Sequence, residues 1–281
     1  MIRTMPALNP KSCCFCGEKN LTSVLQYHEP PKGELINIDD TQGYNREYLM
    51  CVSCKHFFSS HSMDLSGLYE DKYLTCHYGS QKGVEDKFNL ISNFPMEQSD
   101  NKQRVSRICE FVSGRGLTVG SLLDIGAGIG VFASEMQKKG WSVMGLEMDE
   151  MLVHHLNNYV GIKAMNVSLS DLKPDEAGLF DFIALNKVLE HVEEPALLLQ
   201  QAKNFLRSDG LVYAEVPDTR ALEIGPDREE FYIEHHHVFT KLSLKAMFVN
   251  TGITPLSIRA IAEPSGKFTL FAFGEVFKNA R

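Results

Sequence analysis

The sequence predicts an α/β protein: a mostly parallel seven-stranded sheet covered by helices, its last strand antiparallel, with a small cysteine-rich module ahead of it. Three observations predict this. From about residue 101 short apolar runs alternate with segments of helical spacing, the pattern of strands joined by crossover helices. The last two runs are separated only by the turn Glu263-Pro264-Ser265-Gly266-Lys267, which makes an antiparallel hairpin at one end of the sheet. Five of the seven cysteines (Cys13, Cys14, Cys16, Cys51 and Cys54) fall in the first 54 residues.

The elements follow in order. Lys102–Val112 is a helix with Val105, Ile108, Cys109 and Val112 on one face, ending near Gly114 and Gly116. Ser121–Ile125 is a buried strand and Val131–Lys139 a helix closed by Gly140. Trp141–Leu146 is a strand, Met151–Tyr159 a helix, Lys163–Val167 and Phe180–Leu185 two further strands. A helix over Ala196–Leu206 stops at the turn Ser208-Asp209-Gly210, before a strand over Leu211–Val216 that Pro217 ends. Leu242–Asn250 is a helix with Gly252 as its stop signal, and Pro255–Ile261 and Phe268–Phe277 form the hairpin. By composition the chain divides into a cysteine module (1–60), a polar, partly helical connector (61–100) and the α/β domain (101–281).

With 281 residues, 43% hydrophobic and 23% charged, the chain has an ordinary globular composition. No apolar run reaches the length of a membrane span and the N-terminus lacks a signal-peptide core, so a cytoplasmic location is expected. The net charge is −8 without a basic cluster, which argues against a nucleic-acid partner and leaves a small-molecule or sugar-linked acceptor open. Oligomeric state is not legible.

Asp124-Ile125-Gly126-Ala127-Gly128-Ile129-Gly130 runs from a strand into three alternate glycines, a strand–loop–helix nucleotide site in which the backbone can approach a ligand. Glu147 ends the next strand, where a carboxylate can accept hydrogen bonds from ribose hydroxyls. A dinucleotide site is the rival. Its G-x-G-x-x-G spacing fails at Val131 when read from Gly126 but reaches Ala133 when read from Gly128.

At these residues the sequence resembles the class I S-adenosylmethionine-dependent methyltransferases, over residues 101–277. Leu122–Gly130 is similar to their first motif, Phe180–Val192 to their fourth-strand motif, and Leu206-Arg207-Ser208-Asp209-Gly210-Leu211 to their L-K-P-G-G-x turn. The resemblance implies a Rossmann-like fold and S-adenosylmethionine as cofactor. It implies cofactor contacts from Asp124, Gly126, Ala127, Gly128, Gly130 and Glu147, with Met148 and Val167 near the adenine, Asn186 beside the methionine end, and Tyr78 from the connector. The later motifs and the closing hairpin set hydride transfer aside.

Cys13-x-x-Cys16 and Cys51-x-x-Cys54 are two hooks that can surround Zn²⁺ with four thiolates, a structural site without an open position. Cys14, His28, His56 or His61 can replace one thiolate. After the fifth strand, Tyr232-Ile233-Glu234-His235-His236-His237 leaves the ligand-binding edge of the sheet. His235 or His237 can take a proton near neutral pH and Glu234 can orient an imidazole. Adjacent histidines on an extended chain point to opposite faces, so all three do not converge.

A zinc module, a connector with Tyr69, Tyr73, His77 and Tyr78, and a Y-x-E-H segment are similar to the sugar C-methyltransferases that act on nucleotide-linked keto-sugars. That resemblance implies His235 as base, with Tyr232 and Glu234 in support. Two other classes stand beside this expectation: a methyltransferase acting on another small metabolite, and a non-catalytic zinc-ribbon protein.

Overall fold

A computed structural model describes residues 10–34, 43–63 and 78–276; Tyr69, Tyr73 and His77 of the connector and the end of the last expected strand at Phe277 lie outside the described residues. The main sheet has seven strands in the order β10-β11-β8-β7-β4-β5-β6. Its centre is β4 (Ser121–Ile125) and β7 (Phe180–Asn186), flanked by β5 (Ser142–Glu147), β6 (Lys163–Asn166) and β8 (Leu206–Pro217). These five pair in parallel, with Leu122 opposite both Val143 and Phe182. β11 (Phe268–Val276) runs antiparallel to β8 and pairs with β10 (Ile253–Ala262) across the expected hairpin.

Successive side chains of a strand point to opposite faces, so Leu122 and Leu123 enter different cores. On one face Leu122, Phe182, Ala184 and Tyr213 meet Val105, Ile108 and Val112 of α2 (Asp100–Gly114) and Phe132, Ala133 and Met136 of α3 (Val131–Lys138). On the other, Leu123, Ile183, Leu185 and Val212 meet α6 (Pro195–Lys203) and α7 (Lys241–Asn250) through Leu199, Leu244 and Met247. Burial on both faces explains why these strands read as unbroken apolar runs.

Four elements differ from expectation. α2 starts two residues earlier because Ser99 caps it, its side chain accepting from Lys102 N. The connector contains a regular helix, α1 (Gln81–Ser92), capped by Ser80. The helix expected over 151–159 is α4 (Glu150–His155) followed by a wider π turn over Leu156–Val160. That turn lays Leu156 and Val160 against Gly130, where a Cβ would meet Leu156 Cδ2 at 2.5 Å. Finally, Ser208-Asp209-Gly210 is no turn: α6 ends at Lys203, β8 already begins at Leu206, and the segment is a register shift within the ladder to β7. A short helix, α5 (Pro174–Ala177), precedes β7.

The N-terminal module forms a second sheet, β1-β2-β3-β9. β1 (Leu21–Tyr27), β2 (Arg46–Cys51) and β3 (Phe57–His61) come from the module, but β9 (His237–Val238) comes from the chain after β8. Phe57 pairs with Val238 and Phe58 with His237. Cys13, Phe15, Cys51, Cys54 and Phe58 share one apolar cluster with Phe239, Leu244 and Met247. The module is therefore docked on the chain that follows β8. No helix among the described residues is long and apolar enough to cross a membrane.

Candidate active site

β4 delivers the glycine loop to the C-terminal edge of the sheet, where open α/β sheets bind ligands. The N–H groups of Gly126 and Ala127 both donate to the carbonyl of Leu146, at 2.9 and 3.0 Å, which fastens the loop to the end of β5. Gly126 has φ +71°, and a Cβ there would lie 2.6 Å from Val188 Cγ2. Gly128, at φ +54°, faces open space: a Cβ there would touch nothing within 4 Å. A backbone without side chains facing free volume is the cradle a close-lying ligand needs.

Glu147 turns back over this cradle. Its Oε2 accepts from Gly128 N at 2.9 Å and its Oε1 from Met148 N at 2.8 Å. Burial pushes its carboxyl upward, and the three surrounding N–H groups of Gly128, Met148 and Asp149 oppose that shift. Asn166 Nδ2 donates to the carbonyls of Glu147 and Met148 at 3.2 and 2.8 Å, tying the ends of β5 and β6 together. Met148 is exposed beside Glu147, and Val167 is half-buried after β6. Tyr78 is half-buried; burial and the charge of Glu147 both push its phenol upward, which puts the connector tyrosine close to that carboxylate.

On the side expected to take the methionine end, Asn186 Nδ2 donates to Asp124 Oδ1 at 3.2 Å, while the buried Asn186 Oδ1 has no partner among the described residues. Burial pushes the Asp124 carboxyl up to about 7 against the opposing pull of Arg104 and the Asn186 amide. An orphaned acceptor beside a desolvated carboxyl fits an ammonium group, which would satisfy both. The sequence-expected cofactor residues are thus gathered at one edge.

Beneath them lies a network that sequence reasoning missed. Glu215 pairs with Asn186 across β7 and β8. Arg104 Nε donates to Glu215 Oε2 at 2.7 Å, Arg107 Nη2 to Glu215 Oε1 at 2.6 Å, and Arg104 Nη2 reaches Glu263 Oε1 at 3.3 Å. Thr269 Oγ1 donates to Glu263 Oε2 at 2.8 Å. The available signal was Glu215 inside the apolar run Leu211–Val216: a fully buried carboxylate requires a cation.

Next to this edge opens a cavity of about 770 Å³ between the module, the loop after β7 and the segment 227–235. Lys187, one residue beyond Asn186, lines it from a left-handed backbone conformation (φ 57°) that non-glycine residues rarely adopt. The expected base His235 and its two supporting residues, Tyr232 and Glu234, all line this cavity. Tyr232 OH donates to the carbonyl of Lys32 at 3.2 Å. Burial pushes Glu234 up to about 7, and its Oε2 is buried without a partner. His235 Nδ1 donates to Glu230 O at 3.0 Å, and burial pushes the ring below its ordinary value, so it is neutral at neutral pH.

His237 is not brought to the cavity. Its Nδ1 lies 3.0 Å from His56 Nε2 and its Nε2 donates to Glu193 O at 3.2 Å, so it packs the module against the domain. His236 is buried against β3, its carbonyl accepting from Ser59 N at 2.9 Å. Only His237 stands in a strand; His235 and His236 lie in the turn and bend before it, so the three rings leave in different directions. The residues missed in the cavity are Glu190 and His191, which sit just past the C-terminal end of β7. His191 Nδ1 donates to Glu234 O at 3.0 Å, and its ring centroid is 4.8 Å from that of His235.

The module holds the backbone of this loop. Tyr48 OH donates to His235 O at 2.8 Å, Arg46 donates to Phe231 O, and Ile233 N donates to Glu34 Oε2 at 2.8 Å. Arg46 itself is buried among the rings of Tyr27, Tyr44 and Tyr48.

In the module the four hook cysteines converge. Cys13 Sγ lies 3.5 Å from Cys54 Sγ, Cys16 Sγ lies 3.4 Å from Cys51 Sγ, and all four sulfurs fall within 4.8 Å of one another. Tetrahedral Zn–S bonds of about 2.3 Å give edges of about 3.8 Å, so the cage fits the ion. Cys14 is exposed outside the cage, and both nitrogens of His56 are engaged, by Ser243 and His237.

A protein-family model described as a methyltransferase domain matches residues 98–258. Among curated relatives, the ubiquinone biosynthesis O-methyltransferase of Neisseria meningitidis serogroup C (strain 053442) is 26% identical over 148 residues, 48% of this chain and 62% of that protein. The protein of the same name from Glaesserella parasuis serovar 5 (strain SH0165) is 34% identical over 107 residues, 35% of this chain and 45% of that protein. The chain thus spans about half the length of the curated relatives it matches. Among solved structures, magnesium protoporphyrin IX methyltransferase from Synechocystis PCC 6803 superposes with a TM-score of 0.56 at 14% identity, covering 74% of this chain and all (100%) of that one. The 1,6-didemethyltoxoflavin-N1-methyltransferase of Burkholderia thailandensis gives 0.55 at 15% identity, covering 86% and 99%. The family match takes in the glycine loop, Glu147, Asn186 and β8, the same elements that build the cradle: this chain belongs to the methyltransferase-domain family.

Proposed function

We propose that this protein transfers a methyl group from S-adenosylmethionine to a hydrophilic, sugar-like acceptor held in the cavity beside the glycine loop. The observation that carries the acceptor class is the cavity's lining. Of its fourteen residues only Gly33 and Pro217 lack a charged or hydrogen-bonding side chain. A polyhydroxylated acceptor finds partners on every wall there, whereas a greasy aromatic one would leave buried polar groups unpaired.

The cofactor, when bound, supplies an electrophilic methyl group on a sulfonium. Gly126–Gly130 gives its methionine portion close backbone approach, Glu147 accepts from its ribose hydroxyls, and Asn186 Oδ1 with Asp124 takes its ammonium. Met148, Val167 and Tyr78 close around the remainder. In the cavity His235 is neutral with Nδ1 carrying the proton, so Nε2 is free to take one from the acceptor. Glu234 and Tyr232 orient that acceptor by hydrogen bonds. Cys13, Cys16, Cys51 and Cys54 would hold one Zn²⁺ in a closed, structural site.

Calorimetry with S-adenosylmethionine tests the cofactor. Mass-spectrometric detection of methylated product from nucleotide-linked keto-sugars and from prenylated catechols tests the acceptor. Methylation of the sugar set is expected; turnover of catechols alone would remove the sugar reading. His235→Ala should lower turnover at least a hundredfold, the usual weight of a general base, while cofactor affinity is retained.

A further inference from the structure

Two histidines and one glutamate converge in the acceptor cavity in a way proton transfer does not require. Glu190 is fully buried, and neither of its carboxylate oxygens has a hydrogen-bond partner among the described residues. A desolvated carboxylate left with both oxygens unsatisfied is costly and calls for a proton or a cation. The near cation Lys187 is committed elsewhere, its Nζ bonded to Thr269 Oγ1 and 3.6 Å from Glu263 Oε2. Beside Glu190 stand His191 and His235, and one ligand atom of each of the three lies within 4.8 Å of the others.

The histidines are set as ligands. Nδ1 of His191 faces the carbonyl of Glu234 and Nδ1 of His235 the carbonyl of Glu230, each at 3.0 Å. A carbonyl only accepts, so both Nδ1 atoms carry hydrogen and both Nε2 atoms present a lone pair. A backbone carbonyl fixing the far nitrogen is the arrangement that orients metal-bound imidazoles. Ligand atoms about 2.0–2.2 Å from an ion lie at most about 4.4 Å apart, so a shift of less than about 1 Å would bring all three onto one ion.

We propose that Glu190, His191 and His235 bind a divalent transition-metal ion of the Zn²⁺ or Co²⁺ type, distinct from the cysteine cage and with an open position facing the cavity. Three protein ligands and a free position make a site of the catalytic rather than the structural kind. The mixed nitrogen and oxygen donors suit such an ion and separate it from the four thiolates of the module. With the ion in place His235 Nε2 is a ligand and no longer the proton acceptor, and the free position takes an oxygen of the acceptor, which the ion acidifies as it fixes it beside the methyl donor. That role rests on the proposed methyl transfer and replaces the base role of His235, whereas ion binding does not rest on it. Chain order supports a common purpose. Glu190 and His191 follow the strand that carries Asn186, and His235 sits on the loop that Tyr48 and Arg46 hold in place.

The test is a Co²⁺ titration of the full chain with its cysteine cage filled by zinc, without cofactor or acceptor, read by visible absorption and by metal content per chain. One further Co²⁺ per chain is expected, with an absorption lacking the thiolate charge-transfer band. Glu190→Gln, which keeps the volume of the side chain, should weaken it at least tenfold, and Lys87→Ala, a cavity residue outside the cluster, should leave it unchanged. Folded wild type that takes up no further ion overturns the site, as does equal binding by a folded Glu190→Gln. Methyl transfer that persists without the second ion refutes only the ion's part in holding the acceptor. A second ion bound by a protein that transfers no methyl group refutes the methyl-transfer reading alone.

Discussion

Glu147 ends β5 with its carboxylate folded onto Gly128, so the group that would meet the ribose already satisfies a loop N–H. Replacing it by alanine removes a charged acceptor, and hydrogen bonds to charged groups are worth about 1.5–3 kcal/mol. Glu147→Ala should therefore weaken S-adenosylmethionine at least about tenfold in calorimetry with the fold intact; unchanged affinity would refute the ribose role. Glu215 supports the same edge from below. Burial pushes its carboxyl up, but Arg104, Lys187 and Arg107 outweigh burial and hold it at about 2. A carboxyl depressed below its unfolded value, about 4.3, contributes stability that is full above that pH and is lost as pH falls toward the folded value. Urea midpoints measured from pH 7 to 2 should decline between about 4.3 and 2. Glu215→Gln should lack that component and be less stable at pH 7 by about 3 kcal/mol, because the buried Arg104 keeps only Glu263 and the half-buried Arg107 loses its carboxylate. The glycine loop and Glu147 were legible because strand end, glycines and carboxylate are close in sequence. Arg104 was not, since its partner lies 111 residues away and its helix position reads as polar surface.

At the scale of elements, periodicity located all seven strands of the main sheet and missed what depends on partners. Ser208-Asp209-Gly210 has the composition of a turn, yet the ladder to β7 absorbs it as a bulge. α1 has only one buried residue, Val84, so its apolar stripe was too thin to read. The alternation argument separates neighbouring histidines but would put His235 and His237 on one side; the turn before β9 breaks the alternation, so that His237 belongs with His56 and His235 with the cavity. β2 contributes most to that sorting. Tyr48 stands on it with no exposure at all, and its hydroxyl holds the carbonyl of His235. Tyr48→Phe removes one hydrogen bond worth about 1 kcal/mol and leaves the packing in place. Turnover should drop several-fold through a loosened loop while S-adenosylmethionine affinity stays within twofold; equal losses in both would mean that β2 supports the whole fold and not the loop.

For the whole molecule, the cysteine cage and the cavity lined by Tyr232, Glu234 and His235 are joined by one sheet. Composition draws a boundary near residue 60, but β9 completes the module's sheet, and Phe15 and Phe58 share their core with Phe239 and Leu244. With so small a core of its own, the module would depend on the zinc proposed for its cage, since binding of a structural zinc is worth on the order of 10 kcal/mol of folding free energy. Removing the zinc should release β2 and β3 and, with them, the groups that fix residues 231–235. The glycine loop, Glu147 and Asn186 all lie at the edge of the seven-stranded sheet and, among the described residues, draw none of their hydrogen bonds from the module. Cys51→Ser should therefore lose zinc, melt in an added lower-temperature step and forfeit most turnover, yet still bind S-adenosylmethionine within about threefold of wild type. Metal content, calorimetry and turnover on the same preparation check this. A zinc-free variant with full turnover would show that the module does not position the loop, and loss of cofactor binding in step with zinc would show that the two sheets fold as a single unit.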